Sequence, residues 1–380
     1  MAKSEKLTSF FEIFDNLNDH RIDRRKMHPI REILLVTLAG TAAGCEGWSD
    51  IELFSKQRLE TLREYCDFTH GIPSDDTLRR FFRAVNPEQF QTLFIEWACQ
   101  WNIKEKEAEK SKTLAIDGKT SRGSRDGATN ALHLVSAYAV EEHLVFGQVA
   151  VDEKSNEITA IPKLIEVLDL TDTTVTIDAM GCQHAIAKQI IEQKGDYLLS
   201  LKGNQSSLHE DVKTWFQAPV KGVKQEVYQK TNKGHGRLET REVTVCTAID
   251  WLRERHPQWL GLQSIIKVSS LRKIGDKESH ENRYYISSLN CKAEHIATKI
   301  RHHWSIENQL HWILDVSFGE DQSRIRKGHA AHNMAIIRHS IINAMNLTRK
   351  TKTKKISIKQ SRKLAGWNSD VLRRILDVFF

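Results

Sequence analysis

Two segments of the sequence end in the same way, with an apolar run, then Ile-Asp, then a small residue. The first is TLAIDGKT from Thr113, which places Asp117 at the end of a predicted strand. The second is TVTIDAMG from Thr174, which does the same for Asp178. Burying a carboxylate costs free energy unless a partner compensates its charge. The chain therefore has to fold so that both acids find a partner where buried strands end.

The residues around these strands predict an α/β fold built on a mixed sheet with helices on its faces. Two more strand-like segments, ALHLVSAYAV and LVFGQVAV, follow the first with short polar breaks that are typical of antiparallel neighbours. Helix and strand patterns then alternate from EITAIPKLIEVLDL to SLHEDVKTWFQ. Because a crossover helix commonly returns the chain to a neighbouring strand, we expect Asp117 and Asp178 to lie side by side.

The remaining parts of the chain differ in pattern. The N-terminal part has helical spacing and no good strand, IKEKEAEKSK is typical of a linker, and residues 219–290 are strand-like before helical text resumes. We divide the chain into an N-terminal all-α domain (1–101), the first part of the α/β domain (112–218), a β-rich insertion (219–290), C-terminal helices (291–348) and a basic C-terminal segment (349–380).

Charge and cysteine content limit the partners and the compartment. The net charge is +7, and eight lysines or arginines without an acid lie between Arg349 and Lys363. Such a run is either a solvated tail or a nucleic-acid contact, and the apolar helix-like segment after it indicates that it is held against the body. The scattered cysteines favour reduced thiols, and the longest apolar stretch is too short for a bilayer. We expect a cytoplasmic protein without a membrane partner.

Two adjacent carboxylates repel each other unless a divalent cation lies between them, and oxygen ligands of this kind suit Mg²⁺ or Mn²⁺. A third acid on a nearby helix would complete a two-ion site for phosphoryl transfer. The strongest candidate is Glu307, because its helix is apolar enough to be buried. It shares one stripe with His311 and Asp315, while Asp315, Glu320 and Asp321 remain competing choices.

Several polar residues are candidates for contact with DNA, each with an ordinary structural alternative. Lys119 follows the first strand and is equally well a surface lysine. Lys202, Asn204 and Gln205 lie where a strand gives way to a helix, so they fit either phosphate binding or capping.

Two further groups of candidates carry positive charge. The segment KGHGRLETR places His235, Arg237 and Arg241 beside glycines, which favours a phosphate contact over a simple hairpin. Arg79 and Arg80 follow N-cap candidates, and their helix is either a recognition helix or an ordinary amphipathic one.

The histidines and tryptophans near Glu307 are interpreted as structural. His302, His303 and His311 do not share one helix face and have no cysteine pair to join them, so zinc is not predicted. We expect Trp304 and Trp312 to belong to the core and not to stack on bases.

Seven ordered motifs together give a resemblance that covers almost the whole chain. They are AIDGKTSRGS, NEITAIPKLIEVLDL, TIDAMGCQ, LSLKGNQ, GHGRLETR, HWSIENQLHWILDVSFGEDQSR and SIKQSRKLAGWNSDVLRRIL. This text resembles bacterial insertion-sequence transposases of the DDE type, and most of all the H-repeat-associated branch found with Rhs elements.

The resemblance implies an RNase H-like catalytic domain that cleaves and joins DNA ends with divalent metal, Mg²⁺ or Mn²⁺. It implies the acid triad Asp117, Asp178 and Glu307 as catalytic residues and metal ligands, with the β-rich insertion before the last catalytic helix. The partners that it implies are element ends, target DNA and further copies of the chain, because two ends are synapsed. Two alternatives are a DNA-binding regulator or inactive relic, and a structure-specific nuclease that cuts without joining.

One signature of related cut-and-paste transposases is missing. Their Tyr-Arg-Glu-Lys pattern around the third acid is replaced here, with Ile300, His303 and Leu314 at the tyrosine, arginine and lysine places. Arg301 is the candidate for the arginine's role, and we expect both Arg301 and His303 to contact DNA. A hairpin intermediate does not follow from this sequence.

Overall fold

The computed structural model describes residues 7–102, 112–127, 130–151, 156–219, 222–234, 236–349 and 356–380. His235 and much of the basic run after Arg349 lie outside the described residues, as does most of the predicted linker. No helix in these ranges is both long and apolar enough to cross a bilayer.

The N-terminal region is helical. Its helices are α1 (Phe10–Phe14), α2 (Ile30–Ala43), α3 (Trp48–Gln57), α4 (Leu59–Leu62), α5 (Asp75–Ala84) and α6 (Pro87–Cys99). Ser74 caps α5 by accepting from the Thr77 amide, and Asn86 caps α6, which begins at Pro87. These local signals explain why the two helices begin at these residues.

The central sheet has the predicted mixed topology. Its first five strands are β1 (Lys112–Ser121), β2 (Leu132–Ala139), β3 (Leu144–Ala150), β4 (Thr173–Ile177) and β5 (Asp196–Leu201). They lie in the order β3-β2-β1-β4-β5, antiparallel from β1 to β3 and parallel from β1 through β4 to β5. With α7 (Glu157–Glu166), α8 (His184–Glu192) and α9 (Ser206–Gln217) alongside, this is the expected RNase H-like arrangement.

The β-rich segment extends the same sheet. Its strands are β6 (Glu226–Gly234), β7 (Arg237–Cys246), β8 (Ser264–Ile274) and β9 (Lys277–Ser287), with α10 (Asp250–Arg255) between β7 and β8. Strand β9 pairs antiparallel with β5, so the described strands form one nine-stranded sheet that continues β5-β9-β8-β7-β6. The segment is therefore hydrogen-bonded to the strands that precede it along the chain.

The C-terminal helices complete the core. They are α11 (Ala293–Ile306), α12 (Trp312–Phe318), α13 (Ala330–Arg349), α14 (Ile358–Trp367) and α15 (Ser369–Leu376), and a π-helical turn (Glu307–His311) joins α11 to α12. Helix α13 is buried along most of its length and packs on α6, α2 and β3. One apolar core therefore includes N-terminal helices, sheet and C-terminal helices.

The end of the basic C-terminal segment packs against the body, as the sequence indicated. Helix α14 contacts α2, and α15 contacts α2 and α13. Arg362, although part of the basic run, is only 5% exposed and donates hydrogen bonds to the carbonyls of Thr41 and Ser317. Its guanidinium lies 4.1 Å from the Phe318 ring centroid. Arg362 is thus part of the core, and its neighbour Lys363 is exposed.

We expect Arg362→Ala to lower the free energy of unfolding by about 3 kcal/mol, because it removes a buried side chain packed on Phe318 and takes from the Ser317 carbonyl its side-chain donor. The matched control is Lys363→Ala, which should stay within about 0.5 kcal/mol of the wild type. Urea unfolding measures both. Equal effects of the two substitutions would contradict a structural role for Arg362.

Candidate metal centre and nucleic-acid cleft

The parallel pairing of β1 with β4 places the first two acids at one edge of the sheet. Ile116 is in register with Ile177, and an aspartate follows each of them. The Asp117 side chain is 14% exposed. Asp178 Oδ1 accepts from the backbone amides of Met180, at 3.0 Å, and Gly181, at 3.3 Å, which fixes the carboxylate at the start of the loop.

The third acid reaches the same place from the π-helical turn after α11. Ligand atoms of Asp117, Glu307 and His311 all lie within 4.8 Å of one another. His311 Nδ1 is 3.7 Å from Asp117 Oδ2 and 3.6 Å from Glu307 Oε2. The structure thus brings Glu307 beside Asp117, with a histidine as a third donor.

Burial and charge repulsion at this point act on the carboxyl of Asp117. Burial and the neighbouring Glu307 carboxylate raise the pKa of Asp117 to about 8, and Asp178 adds to the rise. Contact with the His311 ring keeps the pKa of Glu307 below its ordinary value. Among the described residues, His311 is the basic side chain within ion-pair distance of both Asp117 and Glu307. The donor set therefore fits a divalent cation.

The loop after Asp178 is held by side chains for which the sequence left open phosphate binding or capping. Asn204 donates to the Ala179 carbonyl at 2.7 Å. Gln205 donates to the Cys182 carbonyl at 3.0 Å and to Gln183 at 3.1 Å. These contacts position the loop, and the sequence pattern of a strand passing into a helix could not reveal them. Lys202, in the same turn, is exposed.

Lys119 is not the free surface lysine that one interpretation of the sequence predicted. Its side chain is 11% exposed, and Nζ lies 2.7 Å from Asp315, 3.2 Å from Glu320 and 3.6 Å from Asp321. Arg338 also pairs with Glu320, at 3.3 Å. The three acids that competed with Glu307 are therefore gathered around Lys119, whose ammonium already has anionic partners within the protein.

A basic cleft of about 810 Å³ lies between the outer strands of the sheet and α11. Its lining includes cations from β6 to β9 and from the helix: Lys230, Arg237, Arg241, Arg272, Arg283 and Arg301. The predicted contacts Arg237, Arg241 and Arg301 thus lie in one cleft. Arg241 also pairs with Glu239 at 2.7 Å. A groove with this charge suits a polyanion.

Three other predicted contacts, His303, Arg79 and Arg80, have partners within the protein. His303 Nδ1 lies 3.2 Å from Thr176 Oγ1, and burial lowers the pKa of the ring, so one ring nitrogen already has a partner on β4. On α5, Arg79 pairs with Asp75 and Asp76, and Arg80 pairs with Asp76. The α5 pairs are exposed, and such pairs contribute little to stability.

The prediction that Trp304 and Trp312 belong to the core is wrong. Trp304 is 47% exposed and Trp312 is 56% exposed. The helix is anchored instead by Ile306, Leu310 and Leu314, which are buried. The apolar residues of the segment correctly predicted that it packs on the core, but the two tryptophans, which face outward, were wrongly counted among the buried residues.

His311 is the site residue that the sequence argument undervalued. It is 6% exposed, and it lies apart from the other two histidines of the helix. His302 contacts Thr113 and Glu141, and His303 contacts Thr176, so the three do not form one zinc site. The i, i+4 spacing from Glu307 was the available signal, and a π-helical turn, common at functional sites, could not be anticipated from it.

Known proteins are similar to this chain over nearly its whole length. The profile of the family described as Transposase DDE domain matches residues 108–344, and that described as DDE_Tnp_1-associated matches residues 11–98. "Putative transposase YncI" of Escherichia coli O157:H7 is 39% identical over 376 residues, which are 97% of this chain and 95% of that protein.

Two further relatives come from Escherichia coli K12. "H repeat-associated putative transposase YhhI" is 38% identical over 380 residues, or 98% of each chain. "Inactive transposase YbfQ" is 42% identical over 62 residues, which are 16% of this chain and 74% of that protein.

We expect Lys119→Met to lower the free energy of unfolding by about 2 kcal/mol, because three carboxylates lose the ammonium they surround, although buried Glu320 keeps Arg338 as a partner. The affinity of the Lys119→Met variant for DNA should equal that of the wild type. Arg122→Ala is the matched control, because the Arg122 side chain is 83% exposed and its Nε lies as far as 3.9 Å from Asp321 Oδ2. Urea unfolding measures the stability of both variants, and a DNA-binding titration measures their affinity. Weaker DNA binding by Lys119→Met at unchanged stability would show that Lys119 contacts DNA.

Proposed function

The chain belongs to the DDE transposase family, and from this premise we propose that it cleaves DNA strands and joins the freed 3′ ends to target DNA. Asp117, Asp178 and Glu307 hold the divalent cations, Mg²⁺ or Mn²⁺, on which this depends. The observation that carries the proposal is the approach of Glu307 to Asp117 from a distant part of the sequence.

The free-energy cost of burying these acids supports their proposed role as metal ligands. Burial and the neighbouring Glu307 carboxylate raise the pKa of Asp117 to about 8, so the protein itself compensates this carboxylate poorly. Bound divalent cations would supply the charge that activates water and stabilises the attacking and leaving oxygens. Asp117 and Glu307 provide donors from two elements, and Asn204 and Gln205 hold the loop that carries Asp178.

The basic cleft supports DNA as the substrate. Arg301 lines it from α11, the helix that leads directly into Glu307. Arg237 and Arg241 line it from the extended sheet. Contacts of this type fix a nucleic-acid backbone in register without reading its sequence. We propose that DNA lies in this cleft, with the N-terminal helices reading element ends and two copies of the chain synapsing them.

We expect Asp117→Asn, Asp178→Asn and Glu307→Gln each to reduce strand cleavage more than about a hundredfold, because each removes a charged ligand. DNA affinity should change little. Asp315→Asn is the matched control, since this acid lies on the next helix but faces Lys119. Cleavage and joining are followed on labelled element-end DNA with Mn²⁺. Undiminished cleavage by Asp117→Asn or Asp178→Asn would remove the metal proposal.

The same assay separates the alternatives. A regulator or relic would bind DNA and leave it intact under every metal, and a nuclease of the same fold would cut without joining.

We expect Arg237→Ala, Arg241→Ala and Arg301→Ala each to weaken DNA binding and to lower the salt slope of the affinity by about one. The control is Arg255→Ala, because Arg255 pairs with Asp211 at 2.9 Å and lies outside the cleft. Affinity is measured by fluorescence anisotropy over a series of salt concentrations. A slope that is unchanged in all three variants would place the DNA elsewhere.

A further inference from the structure

His311 occupies an unusual position for a histidine, between two carboxylates in the interior. Its side chain is 7% exposed, and Nδ1 faces both Asp117 and Glu307. Burying an imidazole costs free energy unless its nitrogens find partners. Within the described residues, Nε2 has no hydrogen-bond partner, so packing alone gives this residue type no advantage over an apolar one.

The distances exclude an ordinary hydrogen bond as the reason. The separations of 3.7 Å and 3.6 Å from Nδ1 to the two carboxylates exceed the range of N–H···O bonds. Donor atoms that share one cation, each about 2.1 Å from it, lie about 3 to 4 Å apart. The nitrogen is therefore spaced from both acids as a fellow ligand would be.

Nitrogen and oxygen donors select different ions. Carboxylates suit Mg²⁺ and Mn²⁺ alike, whereas imidazole suits transition metals and adds little to Mg²⁺ binding. We propose that His311 is a metal ligand together with Asp117 and Glu307, and that its nitrogen makes one ion site prefer Mn²⁺ to Mg²⁺. This rests on the proposed function, because it assigns a further ligand to the same centre.

The local backbone explains how the ligand is presented. Glu307 and His311 are the first and last residues of the π-helical turn, and buried Leu310 anchors the turn between them. The following acid, Asp315, is drawn to Lys119 instead. The turn thus gives the centre two donors of different chemistry from one helical segment.

The test uses the full-length protein loaded with Mn²⁺ and observed by electron spin echo spectroscopy, which detects a coordinated imidazole through its ¹⁴N coupling. We expect the coupling in the wild type and in His303→Asn, and its loss in His311→Asn. Mn²⁺ affinity should fall about tenfold in His311→Asn, with Mg²⁺ affinity changed less than about threefold. His311→Asp should bind both ions without the nitrogen signal.

Each outcome has one meaning. Coupling that persists in His311→Asn, disappears in His303→Asn, or is absent from a wild type that binds Mn²⁺ overturns the inference and leaves the proposed function intact. Mn²⁺ binding that is undiminished in Asp117→Asn contradicts the proposed function itself. Circular dichroism and urea unfolding show whether His311→Asn is folded, and His311→Asp provides the second variant if it is not.

Discussion

The cost of placing carboxylates together on one face of β1 governs the site. Asp117 and Lys119 are two residues apart on a strand, so their side chains point to the same face. Around Lys119, three acids converge on a buried ammonium, and Arg338 adds a second cation beside Glu320. Around Asp117, acids converge on another acid, and burial raises the pKa of its carboxyl. Both clusters gather carboxylates, but among the described residues the first contains lysine and arginine, whereas the basic partner in the second is His311.

This contrast explains why the acids of the two clusters cannot exchange roles. An acid next to Lys119 already has a partner at ion-pair distance, so adding a divalent cation there would require displacing the ammonium. Glu307 approaches Asp117 with half of its side chain still exposed, at 53%. A carboxylate in that state is accessible to an ion or substrate from solvent, which Glu320, 3% exposed, is not.

Sequence reasoning singled out the acids because the free-energy cost of burying a carboxylate depends on its immediate surroundings in the chain. A carboxylate after a buried strand, twice with the same wording, or on an apolar helix, is visible without knowing its partner. The partners of long polar side chains were not visible in the same way. Lys119, Asn204 and His303 are each satisfied by groups distant in sequence, and residue type alone does not say which group that will be. The π-helical turn and the outward Trp304 depend on backbone geometry that the apolar count does not specify.

The continuity of the sheet links the cleft to the acids. Strand β4, which Asp178 follows directly, pairs with β5, and β5 pairs with β9 at the inner edge of the extension. Arginines on the outer strands are therefore held by the same hydrogen-bonded framework as the acids. Trp304 is exposed beside them, 5.4 Å from the Arg283 guanidinium, in a mixture of cation and aromatic surface that suits nucleic acid. Because a sheet is stiffer than a tethered module, backbone contacts made in the cleft would set the position of a phosphodiester relative to Asp117 and Glu307.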